Sequence, residues 1–337
     1  MCGDLPLVSV LVPVRGEVNR IERCLDAVLA QDWPADRLEI IVVDGAPDDG
    51  TATAAERVLA TRSEVRSEVV ANPGGGRGAN LNRGLHEASG SIVCRVDARS
   101  ALPPGYIAAC VEVLQDPTVA VVGGAQVAVA PETGAKAAGI GRGLNNRLAM
   151  GMARYRRATG SGPTDTVYLG AFRRSELDAA GGWDESLEIN EDFDLNRRMI
   201  AFGTVWFDSR LAVSYLARDS VAAVGRQYWT FGRWKVRYLR RRREGPRLRQ
   251  AVGLAVLPGL ALVLIAVGRR PRRLRVPLLL AASGATLAAE ALGASPGGAS
   301  PTLRTRAWSV ITCATVVASW SAGAWWELVT GERNADG

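Results

Sequence analysis

Histidine is almost missing from this chain: His86 is the only one in 337 residues. The five cysteines, Cys2, Cys24, Cys94, Cys110 and Cys313, contain no C-x-x-C pair. Zinc and disulfide frameworks need such groupings, so neither is expected. The amino-terminal stretch has no basic n-region, apolar core segment or cleavage site before strand-like residues begin at Leu7. The first domain is therefore expected to remain in the cytoplasm. No internal repeat is present. Gly74-Gly75-Gly76-Arg77-Gly78 lacks both the spacing of a dinucleotide fingerprint and the Lys-Ser/Thr of a P-loop. The formal net charge is +7, yet no nucleic-acid-binding motif accompanies it, and nucleic acid is not an expected partner.

What is present is uneven. Hydrophobic residues make up 47% of the chain. Up to about Tyr238 they sit in short alternating or clustered runs, as in a soluble domain. From Ala251 onward they form long stretches nearly free of charge. The expected organisation is an α/β domain over residues 1–235, a basic interfacial linker over 236–250, and a membrane region over 251–330 with two or three apolar helices. The candidates are Ala251 to Gly268, Val276 to Gly293 and Ala307 to Val329, each near the minimum length for crossing a bilayer. Pro258-Gly259 interrupts the first and Glu290 the second, while Trp308, Trp325 and Trp326 are placed in the third as interfacial anchors. Arg237, Arg240 to Arg243, Arg247, Arg249 and the run from Arg269 to Arg275 crowd around these segments, where anionic lipid head groups are the natural counterions. A multi-pass cell-membrane protein is expected.

In the first domain, Leu7 to Val12 is a β-branched apolar run closed by Pro13, which reads as a strand buried on both faces of a parallel sheet. Ile21, Leu25, Val28 and Leu29 recur at helical spacing, and Glu39 to Val43 supplies the next strand, ending at Asp44. A second helix to about Arg62, strands at Val65 to Val70 and Ser91 to Val96, and a short helix around Ala79 to Ala88 continue the alternation. Val119 to Val122, Gln126 to Val129, Thr166 to Phe172, Val205 to Phe207 and Ala212 to Leu216 read as further strands, and Glu191 to Ile200 as a helix. Pro131 to Gly162 reads as a mobile loop with helical portions. Asp44 and Asp97 both fall at carboxyl ends of strands, the ligand side of an open α/β sheet.

Six segments in order resemble the family-2 glycosyltransferases of GT-A type: Val8-Ser9-Val10-Leu11-Val12-Pro13-Val14, Ile41-Val42-Val43-Asp44-Gly45, Asp49-Gly50-Thr51, Asn80-Leu81-Asn82-Arg83-Gly84, Arg95-Val96-Asp97-Ala98-Arg99 and Asn190-Glu191-Asp192-Phe193-Asp194-Leu195. With Asn72-Pro73-Gly74 and Thr166-Val167-Tyr168-Leu169-Gly170-Ala171-Phe172, the chain is most similar to the exopolysaccharide glucosyltransferases of succinoglycan type. The resemblance implies a nucleotide-diphospho-sugar transferase fold with an open, mainly parallel sheet. It also implies inverting transfer of a hexose, glucose by likeness, from a nucleotide-sugar donor to a polyprenyl-linked glycan acceptor.

Carried over residue by residue, the resemblance places Pro13, Val14, Asp44, Arg77, Asn82, Asp97 and Arg99 at the donor, with Asp44 on the base or ribose. Asp192 matches the catalytic base, with Glu191 beside it and Asp194 close enough to complicate the assignment. Asn190 is a candidate N-cap that puts these acids in a first helical turn, where the helix dipole favours a carboxylate. Asp97 opens a D-x-D motif, which implies a divalent cation, Mg²⁺ or Mn²⁺, against the donor diphosphate. Arg99 stands where relatives carry Asp or His, and a guanidinium has no lone pair for a metal. Either Arg99 supplies part of the cation's charge, or it pairs with Asp97. Thr230-Phe231-Gly232-Arg233-Trp234 occupies the place of the Gln-x-x-Arg-Trp motif of processive relatives, so Arg233 and Trp234 are expected at the acceptor or the membrane surface. Thr230 in the Gln position favours adding a single residue. A catalytically silent membrane scaffold is the alternative reading.

Overall fold

A computed structural model describes residues 5–150, 160–271, 288, 290–292 and 301–331. Strands and helices alternate from the start: β1 (Val8–Val14), α1 (Ile21–Leu29), β2 (Leu38–Asp44), α2 (Thr51–Leu59), β3 (Arg66–Ala71), α3 (Arg77–Glu87) and β4 (Ile92–Arg95). There follow β5 (Ser100–Ala101), α4 (Tyr106–Leu114), β6 (Val119–Gly124), β7 (Gln126–Val129) and α5 (Ala135–Leu144). After these come β8 (Gly162–Pro163), β9 (Tyr168–Arg173), α6 (Arg174–Ala179), α7 (Glu191–Met199), β10 (Thr204–Phe207) and β11 (Val213–Leu216). Three long helices complete the described chain: α8 (Val221–Arg242), α9 (Leu248–Gly268) and α10 (Leu303–Thr330).

The chain falls into two units, Met1–Val127 with Arg157–Tyr215, and Ala128–Arg156 with Leu216–Gly337. The first holds an eight-stranded sheet in the order β3-β2-β1-β4-β9-β6-β10-β8. β3, β2, β1 and β4 run parallel, and β10 is parallel to β6. β9 runs antiparallel between β4 and β6. This is the open, mainly parallel α/β sheet the sequence predicts. β1 and β2 are buried at nearly every position, as strands covered on both faces must be. Ile21, Cys24, Leu25, Val28 and Leu29 form the buried stripe of α1. Because β2 and β3 lie on one side of β1 and β4 on the other, the winding reverses between β1 and β4, and open α/β sheets bind their ligands at the carboxyl ends of strands at such a point.

One acid sits deep in this core. Glu39, in β2, is buried and accepts hydrogen bonds from Ser9 Oγ and from the amides of Ser89 and Gly90. Burial alone raises its carboxyl, but these donors outweigh it and hold the group below the usual carboxylate range. A lowered acid adds stability that is present above its unfolded value, near 4.3, and is lost as pH falls through the folded one. Glu39→Gln is therefore expected to cost about 1–3 kcal/mol at neutral pH. Urea titrations at neutral and acid pH should show the gap to wild type narrowing on acidification.

The second unit gathers Ala128, Ile140, Leu144, Ala217, Val224, Tyr228 and Val316 into one apolar cluster. The boundary thus falls after Tyr215 rather than near residue 235, and α8 belongs with the C-terminal helices. The cause is close helix packing: a Cβ on Gly232 would stand 2.1 Å from Trp320 O, and one on Gly323 2.1 Å from Trp229 O. Only glycine lets the α8 and α10 backbones approach so far. Within the segment expected to be a mobile loop, α5 is a regular helix, and residues 151–159 lie outside the described chain. α9 and α10 are the two described helices long and apolar enough to cross a membrane. The second apolar candidate, Val276 to Gly293, lies outside the described residues apart from 288 and 290–292. Glu290 within it is buried against Arg142 and accepts from Ser309 Oγ at 2.9 Å.

Candidate active site

The loops at the carboxyl ends of β1 and β2 are tied together by backbone amides. Gly16 N donates to Asp49 Oδ2 at 2.6 Å, and Asp49 Oδ1 accepts from Thr51 N at 2.8 Å. Pro13 and Val14 end β1 opposite Val43 and Asp44. Asn80, buried on α3, donates to both Val14 O and Val43 O at 3.3 Å and accepts from Asn72 Nδ2 at 2.9 Å, pinning the Asn72–Gly76 turn over the strand ends. A Cβ on Gly45 would meet Gly75 O at 2.5 Å, so this close approach requires glycine.

Asp44 is fully buried. Its Oδ1 accepts from Ala46 N at 2.9 Å, while Oδ2 has no hydrogen-bond partner. Burial, reinforced by the charge of Asp49 and opposed by the Ala46 amide, raises its carboxyl above the usual range. Turn capping and an unused acceptor coexist in this one residue.

The charged centre is built around Arg95, the last residue of β4, whose side chain is only 4% exposed. Its Nε donates to Asp97 Oδ1 at 2.9 Å and its Nη2 to Asp97 Oδ2 at 3.3 Å and Glu191 Oε1 at 3.0 Å. Arg77, half-exposed at the start of α3, reaches the same Glu191 oxygen at 3.4 Å. Burial raises the Asp97 carboxyl, but Arg95 and Arg77 overcome it and hold the group below its ordinary value. At Glu191 the balance tips the other way: burial raises the carboxyl by more than Arg95 and Arg77 lower it, and the charges of Asp192 and Asp97 add to the rise. Arg99 turns away from Asp97, its Nε donating to Glu17 Oε1 at 2.9 Å, so the Asp97–Arg99 pairing considered from the sequence is replaced by Arg95 with Asp97 and Arg99 with Glu17.

The first turn of α7 sorts its three acids. Glu191 is buried under two arginines, and Asp194 is buried and paired with Arg198 at 2.9 Å. Asp192 is partly exposed, accepts from Phe193 N at 2.7 Å, and has no ion pair among the described residues. Asn190 holds the N-cap position in a left-handed conformation, φ +75°, but its side chain makes no capping bond and its Nδ2 is buried without a partner.

The donor set does not fit a protein-held divalent cation. Both Asp97 oxygens are spanned by one guanidinium, Arg99 offers only donors, and among the described residues no group of three His, Cys, Asp or Glu side chains could hold a metal.

Asn82 is not gathered with the charged centre. Its amide donates to Trp183 O and Glu185 Oε1, both at 2.9 Å, and accepts from Trp183 N, fastening the turn before α7. The sequence reading passed over its neighbour Asn80, although both belong to one quoted motif, and it gave no role to Arg95 or Glu17. Arg95 sits inside a quoted motif; no local signal marks Glu17, which takes its place through a partner 82 residues away. In the second unit, Arg233 and Arg237 of α8 bind Glu327 of α10 at 3.1 and 2.6 Å, and the Arg237 guanidinium stands 5.2 Å from the Trp234 ring centre.

An open, mainly parallel sheet with acids and arginines collected at its switch point is the layout of a glycosyltransferase that uses a nucleotide-sugar donor. The model of the family described as glycosyl transferase family 2 matches residues 9–179, half of the chain, and the chain belongs to that family. It is 27% identical over 257 residues to the succinoglycan biosynthesis protein ExoA of Rhizobium meliloti, covering 74% of this chain and 75% of that protein. It is 32% identical to the glycosyltransferase AglE of Haloferax volcanii over 124 residues, 37% of this chain and 40% of that one. The mannosyltransferase PcManGT of Pyrobaculum calidifontis, solved with GDP-Man and Mn²⁺, shares the fold: TM-score 0.65 at 22% identity, over 96% of this chain and 88% of that one.

Proposed function

We propose that this glycosyltransferase inverts the anomeric centre in a single displacement, with Asp192 as general base. The observation that carries the reading is the sorting of the acids on α7: Glu191 and Asp194 are neutralised by arginines, and Asp192 is the partly exposed carboxylate without a cation partner among the described residues. The acceptor hydroxyl gives its proton to Asp192 as its oxygen attacks the anomeric carbon opposite the leaving nucleoside diphosphate.

Likeness to the succinoglycan biosynthesis protein ExoA supports a place in exopolysaccharide synthesis, for which a hexose donor, glucose the first to try, and a polyprenyl-linked glycan acceptor are our proposal. Two long apolar helices, preceded by the arginine-rich end of α8, support a multi-pass protein with its catalytic unit in the cytoplasm. Thr230 stands where processive relatives carry Gln, which supports addition of one residue rather than polymerisation.

The test is nucleoside diphosphate release from a panel of nucleotide sugars by the purified chain in a membrane mimic, with a polyprenyl-linked acceptor, and assignment of the product anomer by NMR. Acceptor-dependent release from one donor, with inversion, is expected. A retained configuration would remove the single-displacement mechanism. Silence across the panel together with absent nucleotide binding would return the chain to the scaffold reading.

A further inference from the structure

Two guanidinium groups at the donor crevice each leave one buried nitrogen without an acceptor: Nη1 of Arg95 and Nη1 of Arg99. Both side chains are nine-tenths or more buried. The rest of each group is firmly held, Arg95 by Asp97 and Glu191 and Arg99 by Glu17. A buried N–H of a charged group that finds no acceptor is costly, and folded proteins rarely tolerate it without a functional reason. Here the two orphaned donors belong to residues placed two before and two after Asp97, at the carboxyl end of β4 where the sheet's winding reverses. A third guanidinium, Arg77, is half-exposed at the start of α3.

We propose that the donor's diphosphate is bound by Arg95, Arg99 and Arg77, and that nucleotide binding and sugar transfer proceed without a divalent cation. The inference rests on the glycosyltransferase reading above and deepens it at the same site. Phosphate oxygens are the acceptors whose charge and geometry suit guanidinium N–H groups. When the glycosidic C–O bond breaks, its electron pair passes to the β-phosphate oxygen, the acceptor oxygen bonds to the anomeric carbon, and the acceptor proton goes to Asp192. The charge gained by the leaving diphosphate then meets cations whose planes are already fixed by Glu17, Asp97 and Glu191, so little reorganisation is needed as it develops. A metal ion at Asp97 would first have to displace the Arg95 fork from both carboxylate oxygens.

Calorimetric binding of UDP and GDP to the full chain in detergent, in EDTA and in excess MnCl₂, tests this. The nucleoside diphosphate that binds is expected to bind within about threefold in both media. Arg99→Gln should weaken it by about tenfold or more, as loss of a charge-assisted hydrogen bond does, and leave the affinity for the parent nucleoside unchanged. A residue that merely props the loop would shift both ligands together. Binding by wild type that requires MnCl₂, or Arg99→Gln that matches wild type, would overturn the inference while leaving the glycosyltransferase reading intact. Absence of binding in both media, with no turnover across the donor panel, would overturn both.

Discussion

Asp192→Asn is expected to lower turnover by about a hundredfold to ten-thousandfold, a barrier increase of roughly 3–5 kcal/mol, while nucleotide affinity stays within about threefold. The amide keeps the size of the side chain and can still accept from Phe193 N, so the fold has little reason to change; only the ability to take a proton is lost. Glu191 provides the contrast. It is buried beneath Arg95 and Arg77, and Glu191→Gln should act first on stability, because it removes the counterion of a buried arginine. Steady-state kinetics on Asp192→Asn, paired with calorimetric nucleotide binding, separates the roles. More than about a tenth of wild-type turnover would show that another group takes the proton.

Arg95→Met carries the largest expected effect on stability. Removing one member of a buried ionic cluster leaves Asp97 without its ion-pair partner and Glu191 with only the half-exposed Arg77, and such losses cost about 3–5 kcal/mol. For a unit of this size that corresponds to a fall in thermal transition on the order of ten degrees. The pH dependence has a definite sign. Glu191 already has a raised carboxyl, and loss of Arg95, which lowers it, must raise it further. A raised acid contributes stability that is full below its unfolded value, near 4.3, and is lost as pH rises through the folded one. The deficit of Arg95→Met should therefore be largest at neutral pH and shrink towards pH 4. Adding Glu191→Gln to Arg95→Met should recover part of the loss. A deficit below about 1 kcal/mol, unchanged by pH, would mean that this cluster does not hold the start of α7 against β4.

β1 and β2 were legible because their apolar runs are continuous and end at polar residues, and α1 because its buried stripe repeats at helical spacing. α7 was legible at its first residue, since the acids cluster there. Other features depend on partners that no local pattern names. The antiparallel insertion of β9 between β4 and β6 is a choice of neighbours, and Leu169, held at φ +59° on that strand, gives no sign of it in its residue type. The grouping of α8 with the C-terminal helices depends on Gly232 and Gly323, which are informative only once the two backbones are seen to meet. The site divides in the same way. Asp97, Glu191 and Arg77 meet around one charged centre, and Asp192 follows Glu191 on the same turn. The long-range pairings that decide their chemistry, Arg95 on Glu191 and Glu17 on Arg99, join residues 96 and 82 positions apart.

The clamp on Glu327 also sets a schedule for the nascent chain. Arg233 and Arg237 pair with this one carboxylate, 94 and 90 positions further along, and Arg240 also donates to its backbone carbonyl at 2.9 Å. At about 5–20 residues per second of translation, these two arginines wait roughly five to twenty seconds before their counterion is even polymerised. During that interval Arg233 and Arg237 lack the carboxylate that pairs them in the folded chain. The last turn of α10 is thus the latch of the second unit, and a ribosome stalled short of residue 327 would release α8 without the carboxylate that Arg233 and Arg237 share.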